Sequence, residues 1–225
     1  MKHIAILILL LSFIFTMNLT AQEIQNRNII GIDIFDLPAT TFSLKYQYSS
    51  SPKYSLNVNG GFTMNYAKSA DVVGVFTAFH QFTDCENELF SADNENGAFI
   101  KFGGQLNFRK SFDKNHFYIG VYQTNSFVNQ KGKQGYFTEE DIEYRNVNMK
   151  KYFIGVATNF GYHFRVQKRL QFDCGLQLSK QFNDNRDLFG IENYIPGIGF
   201  HAHNIGEEIF HRFYFNICYY IGKQN

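Results

Sequence analysis

From residue 97 to residue 110 the chain reads GAFIKFGGQLNFRK, and every second position is apolar or glycine: Ala98, Ile100, Phe102, Gly104, Leu106, Phe108. The positions between include Lys101, Gln105, Asn107 and Arg109. A strand turns successive side chains to opposite faces, so a period of two predicts a strand with one apolar and one wet face. The same alternation returns in segments 40–48, 54–66, 152–166, 170–182 and 212–221, and more weakly in 28–35 and 116–127. This makes eight segments. Only 3 prolines occur in 225 residues, so long strands go uninterrupted.

The connectors differ in length in an ordered way. Segments 49–53, 111–115 and 167–169 are short, and 36–39 is brief. Segments 67–96, 129–151 and 183–208 are long. An up-and-down arrangement with both termini on one side puts the three short turns on that side and the longer loops on the other. The chain begins Met1-Lys2-His3, runs apolar from 4 to 15, and reaches a small residue at Ala21. That run falls short of the roughly 20 apolar residues of a spanning helix. It has the form of a secretory signal peptide, residues 1–21, which leaves 22–225 as one domain.

The alternation does not by itself say which face is inside, but its chemistry does. The apolar face carries Phe, Tyr, Leu and Ile on every strand, whereas the other carries amides, hydroxyls and charges of both signs. Charged and amide groups turned into a dry core would each need a partner or cost several kcal/mol. A soluble barrel of the lipocalin type would have to bury the apolar face and show the amide-rich one. A barrel in lipid does the reverse, with the apolar face outward, the polar face filling the lumen, and closure satisfying every backbone group. Aromatics make up 18% of the chain, with 26 Phe, 14 Tyr and no Trp, and they need a site. Tyr46, Tyr48, Tyr54, Phe108, Phe117, Phe164, Phe172 and Tyr219 fall near the short-turn end, as an interfacial girdle would.

In segment number, alternation, connector lengths and leader, residues 28–222 resemble the small eight-stranded outer-membrane barrels of the OmpA-barrel and OmpX-like type. The resemblance implies an antiparallel up-and-down transmembrane β-barrel in the outer membrane of a Gram-negative bacterium, with both termini periplasmic. Members often end on an aromatic residue. Here Tyr220 is followed by Ile221, Gly222, Lys223, Gln224 and Asn225.

The segments turn eight charged or titratable residues toward the expected lumen: Asp33, Lys45, Lys101, Arg109, His163, Arg165, Asp173 and Arg212. Eight strands leave an interior only wide enough for side chains, so these are expected to form a hydrogen-bonded plug rather than an ion path. Asp33 and Asp173 are the strand-interior acids, each expected to pair with a base. Cys174 and Cys218 fall on opposite faces, and with Cys85 make three, which is no disulfide framework.

Two loop stretches carry site-like chemistry. Asp84, Glu86, Glu88, Asp93 and Glu95 crowd oxygen ligands of the kind calcium takes, without a twelve-residue calcium loop. In 199–212, His201, His203 and His211 stand beside Glu207 and Glu208, which are transition-metal ligand types. This stretch also resembles the His-x-Ser-Asn-x-Gly motif of outer-membrane lipid A deacylase barrels. His201, Asn204 and Gly206 match it, and His203 stands where that family has its nucleophilic Ser. The resemblance implies His201 as general base with Glu207 or Glu208 as its orienter, and a missing nucleophile.

No phosphate-binding loop, dinucleotide fingerprint, Cys-x-x-Cys pair or nucleophile elbow is present. A formal net charge of +1 gives no reason to expect nucleic acid. The sequence therefore predicts a barrel without catalytic residues, metal or cofactor. Its expected surroundings are outer-membrane lipid and lipopolysaccharide. Its expected role is structural, adhesive or accessory to envelope assembly, through a protein partner met by loops 67–96, 129–151 and 183–208.

Overall fold

In a computed structural model the residues described are 27–37, 40–64, 90–112, 114–137, 141–183, 194–201 and 209–221. They form ten strands: β1 Arg27–Asp33, β2 Thr41–Ser49, β3 Tyr54–Met64, β4 Phe90–Asn107, β5 His116–Phe137, β6 Ile142–Arg165, β7 Leu170–Gln181, β8 Tyr194–Ile195, β9 Gly199–His201 and β10 Ile209–Ile221. Strands β1 to β7 pair in sequence order, β10 pairs with β7, and β1 pairs back onto β10. Every pairing is antiparallel, so eight strands close into an up-and-down barrel. Closure engages the backbone groups that an open sheet leaves at its edges.

The two faces are those read from the alternation, with the apolar one outside. Along β4 and the two residues after it, Ile100, Phe102, Leu106 and Phe108 are 40–57% exposed, while Lys101, Gln105, Asn107 and Arg109 are 2–7% exposed. Ile30, Leu44, Val58, Phe160 and Ile217 continue the apolar exterior around the barrel. At the short-turn end Tyr46, Tyr54, Phe108, Phe117 and Tyr219 are exposed. Tyr219 accepts a hydrogen bond from Arg169 there, at 3.3 Å.

Three strands are longer than the alternation suggests. The 129–151 stretch is not a loop: β5 and β6 stay paired residue by residue from His116↔His163 to Phe137↔Ile142. Above the apolar belt both faces of the β6 half are exposed or half-buried from 142 to 152, so the apolar-polar contrast fades while the ladder continues. The upper rungs carry Lys131, Lys133, Asn146 and Asn148. Strand β4 likewise starts at Phe90, inside the expected 67–96 loop, and pairs with β5 from Phe90↔Gln134 down to Asn107↔Tyr118. On its other side β6 meets β7 only from Gly155↔Gln181. Among the described residues, its 142–153 stretch has a strand partner on the β5 side alone.

The 183–208 connector is also not simply an outward loop. Its described part, 194–201, is a hairpin that pairs with the top of β10 through Phe210↔His201 and is buried throughout 194–200. Ile195, Pro196, Gly197 and Ile198 make the turn, with Ile198 N–H donating to Ile195 O at 2.9 Å. Gly197 has φ of 75°, the left-handed value that the third residue of a type II turn needs after a proline. The leader, most of 67–96, and residues 202–208 lie outside the described residues.

Candidate functional site

The lumen is the most elaborated site of the molecule, and the strands build it by pointing their polar face inward. Two charged clusters form its middle. Asp173 on β7, fully buried, accepts from Lys45 Nζ at 2.6 Å, Tyr118 OH at 2.7 Å and Asn216 Nδ2 at 3.1 Å. Tyr118 OH also lies 2.6 Å from Tyr214 OH. The second cluster is built on Arg212, whose guanidinium donates to Asp33 and, at 2.7 Å, to Asp36. Asp33 Oδ1 also accepts the backbone N–H groups of Phe35 and Phe215.

A layer of amides and imidazoles lies toward the short turns. His163 Nε2 lies 3.1 Å from Gln105 Nε2, its Nδ1 lies 3.3 Å from Gln171 Nε2, and its ring stacks on His116 with centroids 4.8 Å apart. Asn107, Ser55, Ser49 and Gln47 extend this network. Between the two charged clusters the packing leaves a void of about 20 Å³, room for a single water.

The hairpin of 194–201 closes the other end. Lys101 Nζ donates to Gln177 Oε1 at 2.9 Å, and Gln177 Nε2 donates to the carbonyls of Gly197 and Ile198 at 3.0 and 2.9 Å. Ser179 Oγ donates to Ile198 O at 2.9 Å, and the Tyr194 hydroxyl lies 3.3 Å from the Thr41 hydroxyl. Ile195 and Ile198 pack with Val128, Phe153 and Phe210 in an apolar cluster inside the barrel mouth. Pro196 lies so close to β4 that a Cβ on Gly97 would fall 2.6 Å from its Cγ. The hairpin thus reaches β2, β4, β5, β6, β7 and β10, and it stoppers the lumen with apolar side chains.

The expected lumen set divides three ways. Asp33, Lys45, Lys101, His163, Asp173 and Arg212 are buried in the interior network. Arg109 is buried at the short-turn mouth, where it donates to Pro52 O at 2.9 Å and Phe112 O at 3.3 Å and ties two turns together. Arg165 is half-buried and caps its own turn, donating to Gln167 O at 3.1 Å and Lys168 O at 2.6 Å. It stands at the last residue of β6, where its guanidinium also lies 5.9 Å from the centroid of the Tyr220 ring at the edge of the interior network.

Alternation missed Asp36 because it lies beyond the end of β1, in the brief connector. It did not single out Tyr118 and Tyr122, whose segment alternates only weakly, whereas Tyr214 and Tyr220 fall on the polar face of 212–221 beside Arg212 and Asn216 and are buried there. The stopper had a signal of its own: Tyr194 to Phe200 is an apolar run around a Pro-Gly pair inside an otherwise polar connector.

The loop candidates receive less. His201 belongs to β9 by its backbone, and His211 is buried where β10 meets β9. His203, Glu207 and Glu208, with Asp84, Glu86 and Glu88, lie outside the described residues. Among the described residues no group of three His, Cys, Asp or Glu side chains could hold a metal ion, and no helix is long and apolar enough to cross a membrane. Cys174 is half-buried on the outer face and Cys218 is buried on the inner one.

Outside the barrel wall the β5–β6 ribbon is the projecting element. Near its tip Arg145 donates to Glu143 at 2.9 Å and lies over the Tyr136 ring. That hydrogen bond holds the exposed Glu143 carboxyl below its ordinary range. Comparisons with family models, characterised proteins and solved structures find no match.

Proposed function

We propose that this chain is an integral outer-membrane protein that does not conduct and is not an enzyme. In this reading it anchors the β5–β6 ribbon at the cell surface, where the ribbon meets a protein partner in an adhesive or envelope-assembly role. The observation that carries the reading is the inverted barrel. Its exterior is a continuous apolar band, its interior is a charge-paired polar plug, and one mouth is stoppered by its own hairpin. An apolar exterior over a polar interior fits lipid outside the barrel. A filled interior leaves no path for solute.

Binding then falls to what rises above the belt. The 142–153 stretch of β6 offers backbone donors and acceptors with no described strand on one side, the kind of edge that takes an added strand from a partner. The test has two parts. The chain should fractionate with outer membranes, migrate differently on gels when unboiled, and give no discrete channels in planar bilayers. A variant lacking residues 133–146 should keep all three properties and lose the proteins that copurify with the full chain. Recovery in the soluble periplasmic fraction, or an unchanged partner set, would contradict the proposal.

A further inference from the structure

The short-turn rim holds a groove that neither the plug nor the ribbon uses. It is open, about 520 Å³ in volume, and lies between the turn joining β2 to β3 and the turn joining β4 to β5. Its lining has two chemistries. Tyr54, Leu106 and Phe108 give an apolar wall and are 40–57% exposed on the barrel exterior. Lys53, Lys110 and Lys114 give three exposed amines along the rim.

Arg109 fixes the shape of the groove without filling it. Its guanidinium donates to the Pro52 and Phe112 carbonyls, one in each turn. Asn107 N–H donates to Lys53 O at 2.7 Å and holds the same two segments side by side. Among the described residues no carboxylate lies within ion-pair distance of Lys53, Lys110 or Lys114. Among the described residues, the three cations thus line one opening without a carboxylate paired to them.

The apolar wall does not end at the groove. Directly beyond the Tyr54↔Leu106 pair comes Leu56↔Gly104. Gly104 faces outward, and a Cβ placed there would meet nothing within 4 Å. The next outward residue on β4 is Phe102. A shallow furrow thus runs from the amines, over Leu106, past Gly104, toward the barrel's equator.

The geometry points to a binding site for an anionic glycerophospholipid, resting on the membrane reading above. Its phosphate sits among Lys53, Lys110 and Lys114, and one acyl chain lies in the furrow over Leu106 and Gly104. A free phosphate would use the amines alone and leave the furrow idle. Amines near a membrane surface attract anionic lipid additively, and the outward aromatics set the headgroup depth.

The test uses the full-length mature chain, folded in detergent micelles, with native mass spectrometry to count bound lipid. Phosphatidylglycerol should bind about fivefold or more tightly than phosphatidylcholine of the same chains, given three amines. Inorganic phosphate should not displace it. The triple variant K53Q/K110Q/K114Q should lose the preference, and K53R/K110R/K114R should keep it. Gly104→Leu, which fills only open space, should weaken long-chain lipid while leaving the headgroup preference intact. Equal binding of the two lipids, displacement by inorganic phosphate, or a preference that survives the triple Gln change would overturn the inference. A chain that fractionates with outer membranes yet shows equal binding would refute the groove alone; failure to fractionate there would refute the membrane reading itself.

Discussion

Replacing Asp173 by Asn separates a charge-paired plug from a merely polar one. The carboxylate is fully buried and accepts three hydrogen bonds, of which the Lys45 ammonium at 2.6 Å is the only charged one. An Asn amide can still serve Tyr118 and Asn216, so the loss falls on Lys45, left as a buried cation without its partner. Breaking a buried pair on one side costs about 3–5 kcal/mol, much of it the stranded charge. Asp33→Asn is the built-in comparison. Arg212 would keep Asp36 at 2.7 Å, so only one charge-assisted bond is weakened, at about 1.5–3 kcal/mol. Adding Lys45→Met to Asp173→Asn removes the stranded cation and should restore most of the loss. The assay is urea unfolding in phospholipid vesicles, read as the fraction of chain with folded mobility on unboiled gels. Asp173→Asn within about 0.5 kcal/mol of wild type, the size of an ordinary surface change, would refute the reasoning. So would Asp33→Asn costing more than Asp173→Asn, or a double variant less stable than the single.

Other outcomes follow from the same geometry. Arg in place of Phe102 or Val58 should cost about 2–4 kcal/mol in that assay if these residues sit at the bilayer midplane, whereas Gln at Asn57 should be borne better. Ser179→Ala should cost little global stability but loosen the stopper, since its hydroxyl holds Ile198 O, and protease cleavage within 194–201 should rise. Gly197→Val should loosen it further, because φ of 75° strains a branched residue and its Cβ would fall within contact of Phe99. With Cys85 replaced by Ser, a charged maleimide should modify neither Cys174 nor Cys218 in folded, lipid-embedded protein and both after denaturation.

Much of the barrel is legible in the sequence because two physical signals coincide there. Within the belt each strand must show lipid-compatible and lumen-compatible faces, so the alternation of Ile100, Phe102 and Leu106 against Lys101 and Gln105 encodes strand, register and face together. Where only one environment exists the encoding weakens. The β5–β6 ribbon stands above the belt, and residues 129–151 read as polar although every residue from 129 to 137 is paired. The plug's charges are legible as strand-interior ions, but their partners are not. Which base meets Asp173 depends on barrel diameter and shear, and Lys45, 128 residues away in sequence, is chosen by closure rather than by any local pattern. The stopper is the other loss. Its apolar run is visible, but entry into the lumen depends on the small residue Gly97 making room for Pro196 on a strand distant in sequence.

The central claim is that even-numbered residues of β4 face lipid and odd-numbered ones face a filled lumen, and one scan tests it directly. Single nitroxides would be placed at each position from 98 to 108 in a cysteine-free chain reconstituted in phospholipid vesicles, with collision rates measured for dissolved oxygen and for a water-soluble nickel chelate. The account predicts oxygen maxima at 98, 100, 102, 104 and 106, chelate access near zero at the same positions, and low values of both at 101, 103 and 105. Chelate access at the even positions, or oxygen access without a period of two, would contradict it.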